Sequence, residues 1–580
     1  MIDVIKKQKL WLIAIGFAAL NIILSLRYVG VIMFDQDPWI ALYGAQRILE
    51  GQLLYKNFFD FVTPGTDYVL AALFSVFGTT LTVAHLTIVL LNAVVTILIV
   101  VISFDIIKNK WLRVVPGLLF SLYSSNVYYV SHHWFILLPV ILALFVGVRI
   151  VKRDTGKPSQ WLYTGFAAAG AFLFIQTIGV TLFGMLVMYI VWYYRGDYSG
   201  PVRSDKMVHS SPDSHDIRNA VCDQRRILSR SMLYHTAGFI IPVIFVGLVF
   251  AASGSLHAFI YDSFIWPFSH YRAINLSTPS DIVRLWIKEL SSDGIVLGLI
   301  YSSVAYSGLI VSFVVCIYAA VHTKKNQTEG LALIALASFI STGIIAGLLP
   351  NPPVFHLMVF MPVYLMVIIA SIEYIPLFRN HRVMRVGIAA YFIVVTLLFI
   401  YNTSRFIKAY YNKENTLEVF KTPIGNVKMY KHYRDFPYDV SYPYPLIKNL
   451  NIKLPRHIFV VYWTPSIYML TGTDNPTPLN TYMPSYNTVD QAEAVIHALK
   501  ADRTKVIIID DRLRFLKKVG WFVHNKKMLS ADNPLIRFVD RHYCLEKVVY
   551  GFKIYRLNRS TRERSELSAG GKSRCLSAGR

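Results

Sequence analysis

The amino-acid sequence predicts a polytopic α-helical membrane protein of about eleven spans with a C-terminal extracytoplasmic α/β domain. Three observations carry that prediction. The 580 residues are 54% hydrophobic and only 16% charged, with mean hydropathy +0.45, too apolar for a soluble chain of this size. Apolar runs recur at approximately 11–33, 82–104, 112–127, 134–150, 160–176, 178–194, 234–252, 294–321, 330–349, 356–376 and 384–401, most near the ~20 residues that cross a hydrocarbon layer. Basic residues gather on one side: Lys108, Lys110 and Arg113, then Arg149, Lys152, Arg153 and Lys157, the basic loop from Arg195 to Arg230, Lys324 with Lys325, and Arg379, Arg382 and Arg385 all fall on the side of the N-terminus. The opposite loops at 126–133 and 350–356 contain no Lys or Arg. The positive-inside rule then puts the N-terminus in the cytoplasm of a cell-membrane protein, and an odd number of spans puts everything after residue 402 outside.

The charge balance, 58 Lys and Arg against 34 Asp and Glu, would suit a nucleic-acid partner if it were clustered. It is spread over short loops between apolar runs, which is topology, so nucleic acid is excluded as a partner. Cys222, Cys316, Cys544 and Cys575 have neither CxxC nor His–Cys spacing, and neither a disulfide framework nor a zinc site is indicated.

In chain order, Lys6, Lys7 and Lys9 precede the first run, which is longer than the ~7–15 residues of a signal-peptide core and lacks a small-residue cleavage site. It reads as an uncleaved span. A long external loop over 35–80 follows, opening with Asp35 and Asp37 at the membrane surface; Ile40, Tyr43, Ile48 and Leu49 recur near helical spacing, and Tyr68–Phe77 ends at Gly78. Two surface helices are expected there. The span-bearing part covers 1–402, with a second long external loop at 253–293 rich in aromatics. Residues 403–557 change character, with strand-like runs at 457–462 and 505–510 and a helical stretch Val489–Leu499, and the polar, basic tail 558–580 is expected to be disordered.

The series Asp37-x6-Gly44-Ala45-Gln46-Arg47-Ile48-Leu49-Glu50-Gly51-x3-Tyr55, then Phe58, Phe59, Pro64-Gly65 and Leu73-Phe74-x2-Phe77-Gly78, resembles the first external loop of GT-C superfamily glycosyltransferases, in their dolichyl-phosphate-mannose protein mannosyltransferase-like branch. Phe174-Ile175-Gln176-Thr177-x-Gly179, the Tyr261–Tyr271 loop and Asp532-Asn533-Pro534-Leu535 resemble bacterial members of that branch. The resemblance implies a transferase with a polyprenyl-phosphate-linked sugar donor, a glycan, lipid or protein acceptor, and an Asp of the first external loop as catalytic base. The physics agrees, because a lipid-linked donor presents its phosphate and sugar at headgroup height, where Asp35 and Asp37 emerge. An inverting transfer needs a carboxylate to take the acceptor proton and cationic or hydrogen-bonding groups to hold the departing phosphate.

The family's spacing back from Gly51 favours Asp37 as base; its place before Pro38 makes it equally a helix N-cap. Asp35 is the alternative, and both acids being structural is the third reading. Asp60 is a possible second acid, although an acid in a turn commonly bonds only neighbouring amides. For the donor phosphate, the external cations are Arg27, Arg47, Lys56, His270 and Arg272, with Arg272 preferred because a guanidinium fork matches phosphate oxygens. Arg27 as a snorkelling residue and Arg47 on the wet face of its helix are the plainer readings. His132 and His133 are placed to touch phosphate or sugar or to form part of an aromatic belt, and His356 to line the acceptor entry or bond a turn. Asp510-Asp511 ends a strand and is discounted. The loop Ser131-His132-His133-Trp134 has no carboxylate, and Val62-Thr63-Pro64-Gly65 and Asn57 stand where relatives often carry charge, so no cofactor is expected and a divalent metal is disfavoured. A transporter or lipid flippase is the competing class. Against it, no charge lies deep in the later spans and no internal repeat is evident.

Overall fold

The computed structural model describes residues 2–32, 37–126, 130–153, 157–195, 214–271, 295–321, 328–348, 354–375, 380, 382–413, 415–431, 446–448, 454–462, 464–483, 487–510, 533–549 and 551–558. Among these, eight helices are long and apolar enough to cross a membrane: Gln8–Leu26, Leu81–Ile106, His132–Arg153, Gln176–Tyr194, Cys222–Ala252, Ser303–Val321, Glu329–Leu348 and Val386–Tyr411. The other three expected spans fall on shorter helices, over Leu112–Ser124, Trp161–Phe174 and Met361–Tyr374. The protein is a polytopic helical membrane protein with a C-terminal strand-containing region. Asn558 closes the described residues, so the expected disordered tail lies outside them.

The first helix, α1 (Ile2–Leu26), ends seven residues earlier than the apolar run suggests. The chain turns at Gly30, whose φ of 77° suits a residue without a Cβ. Val31 and Ile32 then pair with the C-terminal region instead of prolonging the helix: Ile32 N–H donates to Lys428 O at 2.9 Å and Lys428 N–H to Gly30 O at 2.7 Å. Their hydrophobicity serves burial against protein rather than lipid.

The two expected surface helices form as α2 (Asp37–Leu49) and α3 (Gly65–Phe77), followed by the span α4 (Leu81–Ile106), capped by Thr80 Oγ1 accepting from Val83 N–H. A second expectation is corrected at the basic loop 195–230. Its second half is helical, because the helix Ser214–Ala252 begins sixteen residues before Arg230 and carries its charges on into the span. No Gly or Pro interrupts 214–237, and backbone helicity outlasts the apolar pattern that marks a membrane segment.

At one end of the bundle the basic loops gather around acids. Asp105 pairs with Arg149 at 3.3 Å and Lys152 at 2.7 Å, and Glu373 accepts the backbone N–H groups of Lys108 and Asn109, each at 2.7 Å. The opposite end carries α2, α3 and the strands. There, β1 (Leu417–Thr422) and β2 (Gly425–Tyr430) form a hairpin, and a four-stranded sheet has the order β3 (Ile458–Val461), β4 (Val506–Asp510), β6 (Phe552–Leu557), β5 (Tyr543–Val549), with β3 and β4 parallel and the rest antiparallel. Alternation explains why β3 and β4 are apolar throughout. Ile458, Val460, Val506 and Ile508 face the large core shared with the bundle, while Phe459, Val461, Ile507 and Ile509 face a second core closed by Ala492, Val495 and Leu499 of the helix Val489–Asp502. A capping box between Thr488 and Gln491 starts that helix.

Candidate functional site

The site begins with α2, the first element after α1 and the one that opens on Asp37, with Pro38 at the next position, where its fixed φ suits a helix start. Asp35 lies outside the described residues, as does Arg272. What holds α2 is its contact with the C-terminal region. Tyr43 stacks on Tyr468 with ring centroids 4.9 Å apart, and its hydroxyl accepts from Asn475 N–H at 2.8 Å. Arg47 is 3% exposed and donates to Gln52 Oε1 at 2.8 Å, Asn480 Oδ1 at 2.9 Å and Thr477 O at 3.1 Å, with its guanidinium 4.6 Å from the Phe58 ring centre.

This corrects the expectation that Arg47 lies on a wet helix face. The C-terminal region covers that face, and the guanidinium is an internal clamp rather than a free phosphate ligand. Arg27 is corrected likewise. Because α1 ends at Leu26, its side chain folds under the turn, bonding Leu24 O and Asn126 Oδ1 and lying 4.5 Å from the Tyr28 ring centre, and it does not snorkel.

The α2–α3 contact is close. A Cβ on Gly44 would stand 2.3 Å from Asp67 Oδ1 and 3.2 Å from its Cγ. Gly44→Ala is therefore expected to push α2 from α3 at a cost of about 1–3 kcal/mol, read as a lower unfolding temperature in detergent, whereas Gly16→Ala, with open space around its position, leaves it unchanged.

Beyond α2 the chain makes a compact turn. Tyr55 Oη donates to Val62 O at 2.7 Å, and Asp60 Oδ1 accepts Val62 N–H at 2.9 Å, the local bond expected of an acid in a turn. Thr63 Oγ1 donates to Phe172 O at 2.7 Å. The segment 253–271 packs against this turn, with Phe59 and Phe61 ring centroids 5.0 Å and 5.6 Å from that of Trp266. Gln176 joins the two loops, its amide donating to Phe61 O at 2.9 Å and Ser263 O at 2.7 Å. Lys56 Nζ donates to Ser253 O at 3.0 Å, adding a third tie between them. Two of the three sequences that carried the resemblance outside the first loop, around Gln176 and Tyr261–Tyr271, thus meet the first loop itself.

Three carboxyls converge there: Asp60, Asp67 of the first turn of α3, and Asp262 in the first of two successive π-turns, Tyr261–Ile265 and Pro267–Tyr271. Such turns are rare and recur at functional sites. Burial, and then the charge of Asp60, hold the Asp67 carboxyl well above the ordinary carboxylate range, and the same two causes push Asp262 up to about 7. A raised folded-state value means the native protein keeps a proton that the unfolded chain releases. The contribution of Asp262 is thus fully present below its ordinary value of 3.8 and is lost as pH rises to about 7. Asp262→Asn is expected to flatten the stability of the detergent-solubilised protein across that window, measured by unfolding temperature against pH.

The histidines form a separate group. His132 and His133 have ring centroids 4.2 Å apart, and His133 stacks on His356 at 3.8 Å, so two chain segments far apart in sequence meet through three imidazoles. His270 lies instead on Trp266 at 5.9 Å, with Nδ1 2.7 Å from Ser269 Oγ. Among the described residues no cluster of His, Cys, Asp or Glu has the arrangement to hold a metal ion. Asp510 is buried at the end of β4, where it pairs in register with Phe552. The sequence reading passed over Asp67, Asp262 and the role of Gln176; the available signal was a single acid in each of two otherwise apolar, aromatic stretches.

No family model matches this chain, and no curated protein matches it. Among solved structures it is similar to ArnT from Cupriavidus metallidurans bound to undecaprenyl phosphate, with a TM-score of 0.50 at 8% identity over 94% of this chain and 97% of that one. That likeness does not single out the protein mannosyltransferase-like branch. What it shows is the architecture: this chain has the fold of that protein over nearly its whole length.

Proposed function

We propose that the protein is a membrane glycosyltransferase that moves a sugar from a polyprenyl-phosphate-linked donor to an acceptor on the extracytoplasmic face. Asp37 is the base, with Asp35 as its alternative. The bond from the anomeric carbon to the phosphate oxygen breaks as the acceptor oxygen attacks from the opposite face. The acceptor proton passes to the aspartate, and the polyprenyl phosphate leaves with the electron pair. Inversion at the anomeric carbon follows from this single displacement.

The observation that carries this reading is the position of α2, which opens on Asp37 just beyond the end of α1 and is clamped by Arg47 and Tyr43 to the C-terminal region. A base on a rigid element at headgroup depth meets a donor whose lipid stays among acyl chains. The likeness to a protein solved with undecaprenyl phosphate supports the donor class. The gathering of basic loops around Asp105 and Glu373, at the end of the bundle away from α2, supports an N-terminus and basic loops in the cytoplasm and a strand-containing region outside. For the phosphate, Lys56, His270, Arg272 and the trio His132, His133 and His356 are the proposed donor-side contacts. Asp60, with Asp67 and Asp262 beside it, supplies a second acidic group.

The test is reconstitution into liposomes with polyprenyl-phosphate pentoses and hexoses labelled in the sugar, following the release of polyprenyl phosphate. Release on addition of envelope membranes supports the reading. Movement of intact donor between leaflets without cleavage of the sugar–phosphate bond overturns it in favour of a flippase.

A further inference from the structure

A cleft of about 560 Å³ opens between the end of α2 and the C-terminal region, within the size range of small-molecule sites. Glu50, Gln52 and Asn57 form one wall, and Arg456, His457 and Asp474 the other. The floor is rigid, since Arg47 and Thr477 beneath it belong to the buried clamp that fixes α2.

The chemistry of the walls selects the ligand. Among the described residues that line it there is no apolar pocket to take an acyl chain or a large side chain, and the charges are already engaged: Arg456 Nε is 2.9 Å from Asp474 Oδ2, His457 Nδ1 is 2.5 Å from Asp502 Oδ1, and Gln46 Nε2 donates to Glu50 Oε1 at 2.8 Å. A cleft with paired charges and planar amides offers many donors and acceptors and no net charge. That suits a neutral, hydroxyl-rich chain. Arg456 nevertheless leaves 84% of its side chain exposed, so its remaining N–H groups are open to such a ligand.

Location then fixes the role. Arg47 stands ten residues after Asp37 in α2, which at the rise of a helix is about 15 Å, and Glu50 follows just past the helix end. A group bound here cannot be the one that reacts. We propose that the cleft is a remote acceptor subsite, holding an oligosaccharide several units from the hydroxyl that is glycosylated. The acceptor is accordingly an extended glycan. This rests on the glycosyltransferase reading and adds the acceptor class to it. Binding energy gathered at a distance positions the reacting hydroxyl.

Membranes from the source organism lacking this protein, which carry the unmodified acceptor, supply the probe. Transfer of labelled sugar to them is measured beside hydrolysis of the same donor by water. Arg456→Ala and Pro476→Trp, the second of which fills the cleft from an unpaired position on its rim, are expected to lower transfer about tenfold, the effect of one or two lost hydrogen bonds, while donor hydrolysis and unfolding temperature stay at wild-type values. Equal loss of both reactions, or loss of neither, overturns the subsite. So does a labelled product that is protease-sensitive or that partitions as a lipid without glycan. A wild-type protein that neither transfers nor hydrolyses sugar sinks the parent reading instead, and the two failures are told apart by that control.

Discussion

Asp37→Asn is expected to lower sugar transfer by about 10²–10⁴-fold, the usual contribution of a positioned general base. The substitution is a clean one. Asn has nearly the size and shape of Asp, and the contacts of Tyr43 and Arg47 that hold α2 are untouched, so unfolding temperature should stay within a degree or two of wild type. What Asn cannot do is accept the acceptor proton. The loss should appear in kcat with little change in donor KM, because the interaction removed forms only as the proton moves. Asp35→Asn made separately assigns the role: if it, and not Asp37→Asn, abolishes transfer at wild-type stability, the base is Asp35. Full activity in both variants would refute an aspartate base at the start of the first loop.

The parts of this fold that are legible in the sequence are those set by one dominant local force. Every expected span coincides with a helix because hydrophobic length alone decides it, and β3 and β4 fall on the two expected strand-like runs, rich in β-branched residues, whereas the more polar β1, β2, β5 and β6 carry no such signal. The misreadings at Arg27, Arg47 and the end of α1 share a cause. In each, a segment that looks solvent- or lipid-facing is covered by chain nearly four hundred residues or more away, or folded under a turn set by Gly30. Lys428 pairing with Gly30, and Asn480 with Arg47, leave no trace in local periodicity. The acid group shows the same limit. Asp60, Asp67 and Asp262 are ordinary in isolation, and it is the packing of 253–271 on the turn after α2, through Trp266, Gln176 and Lys56, that makes them neighbours.

Arg47→Met is expected to produce a large loss of stability. The side chain volume is roughly kept, and the apolar stem still packs on Phe58, but Asn480 Oδ1, Thr477 O and Gln52 Oε1 lose their donor inside protein. At about 1–3 kcal/mol for each buried acceptor left unpaired, with partial relaxation of Gln52 at the cleft edge, a total of about 3–5 kcal/mol follows. The consequence reaches activity because α2 carries Asp37, and a base displaced by even an ångström loses much of its effect. Arg47→Lys separates this role from a direct phosphate contact. An ammonium keeps the charge but cannot satisfy three acceptors held in a fork geometry, so a clamp predicts that Lys unfolds nearly as early as Met and that kcat falls in both. If Lys instead preserves the unfolding temperature and raises only the donor KM, Arg47 is acting on the donor phosphate, and the coupling between α2 and the strand-containing region has to be sought at Tyr43, in its stack on Tyr468 and its bond from Asn475 N–H.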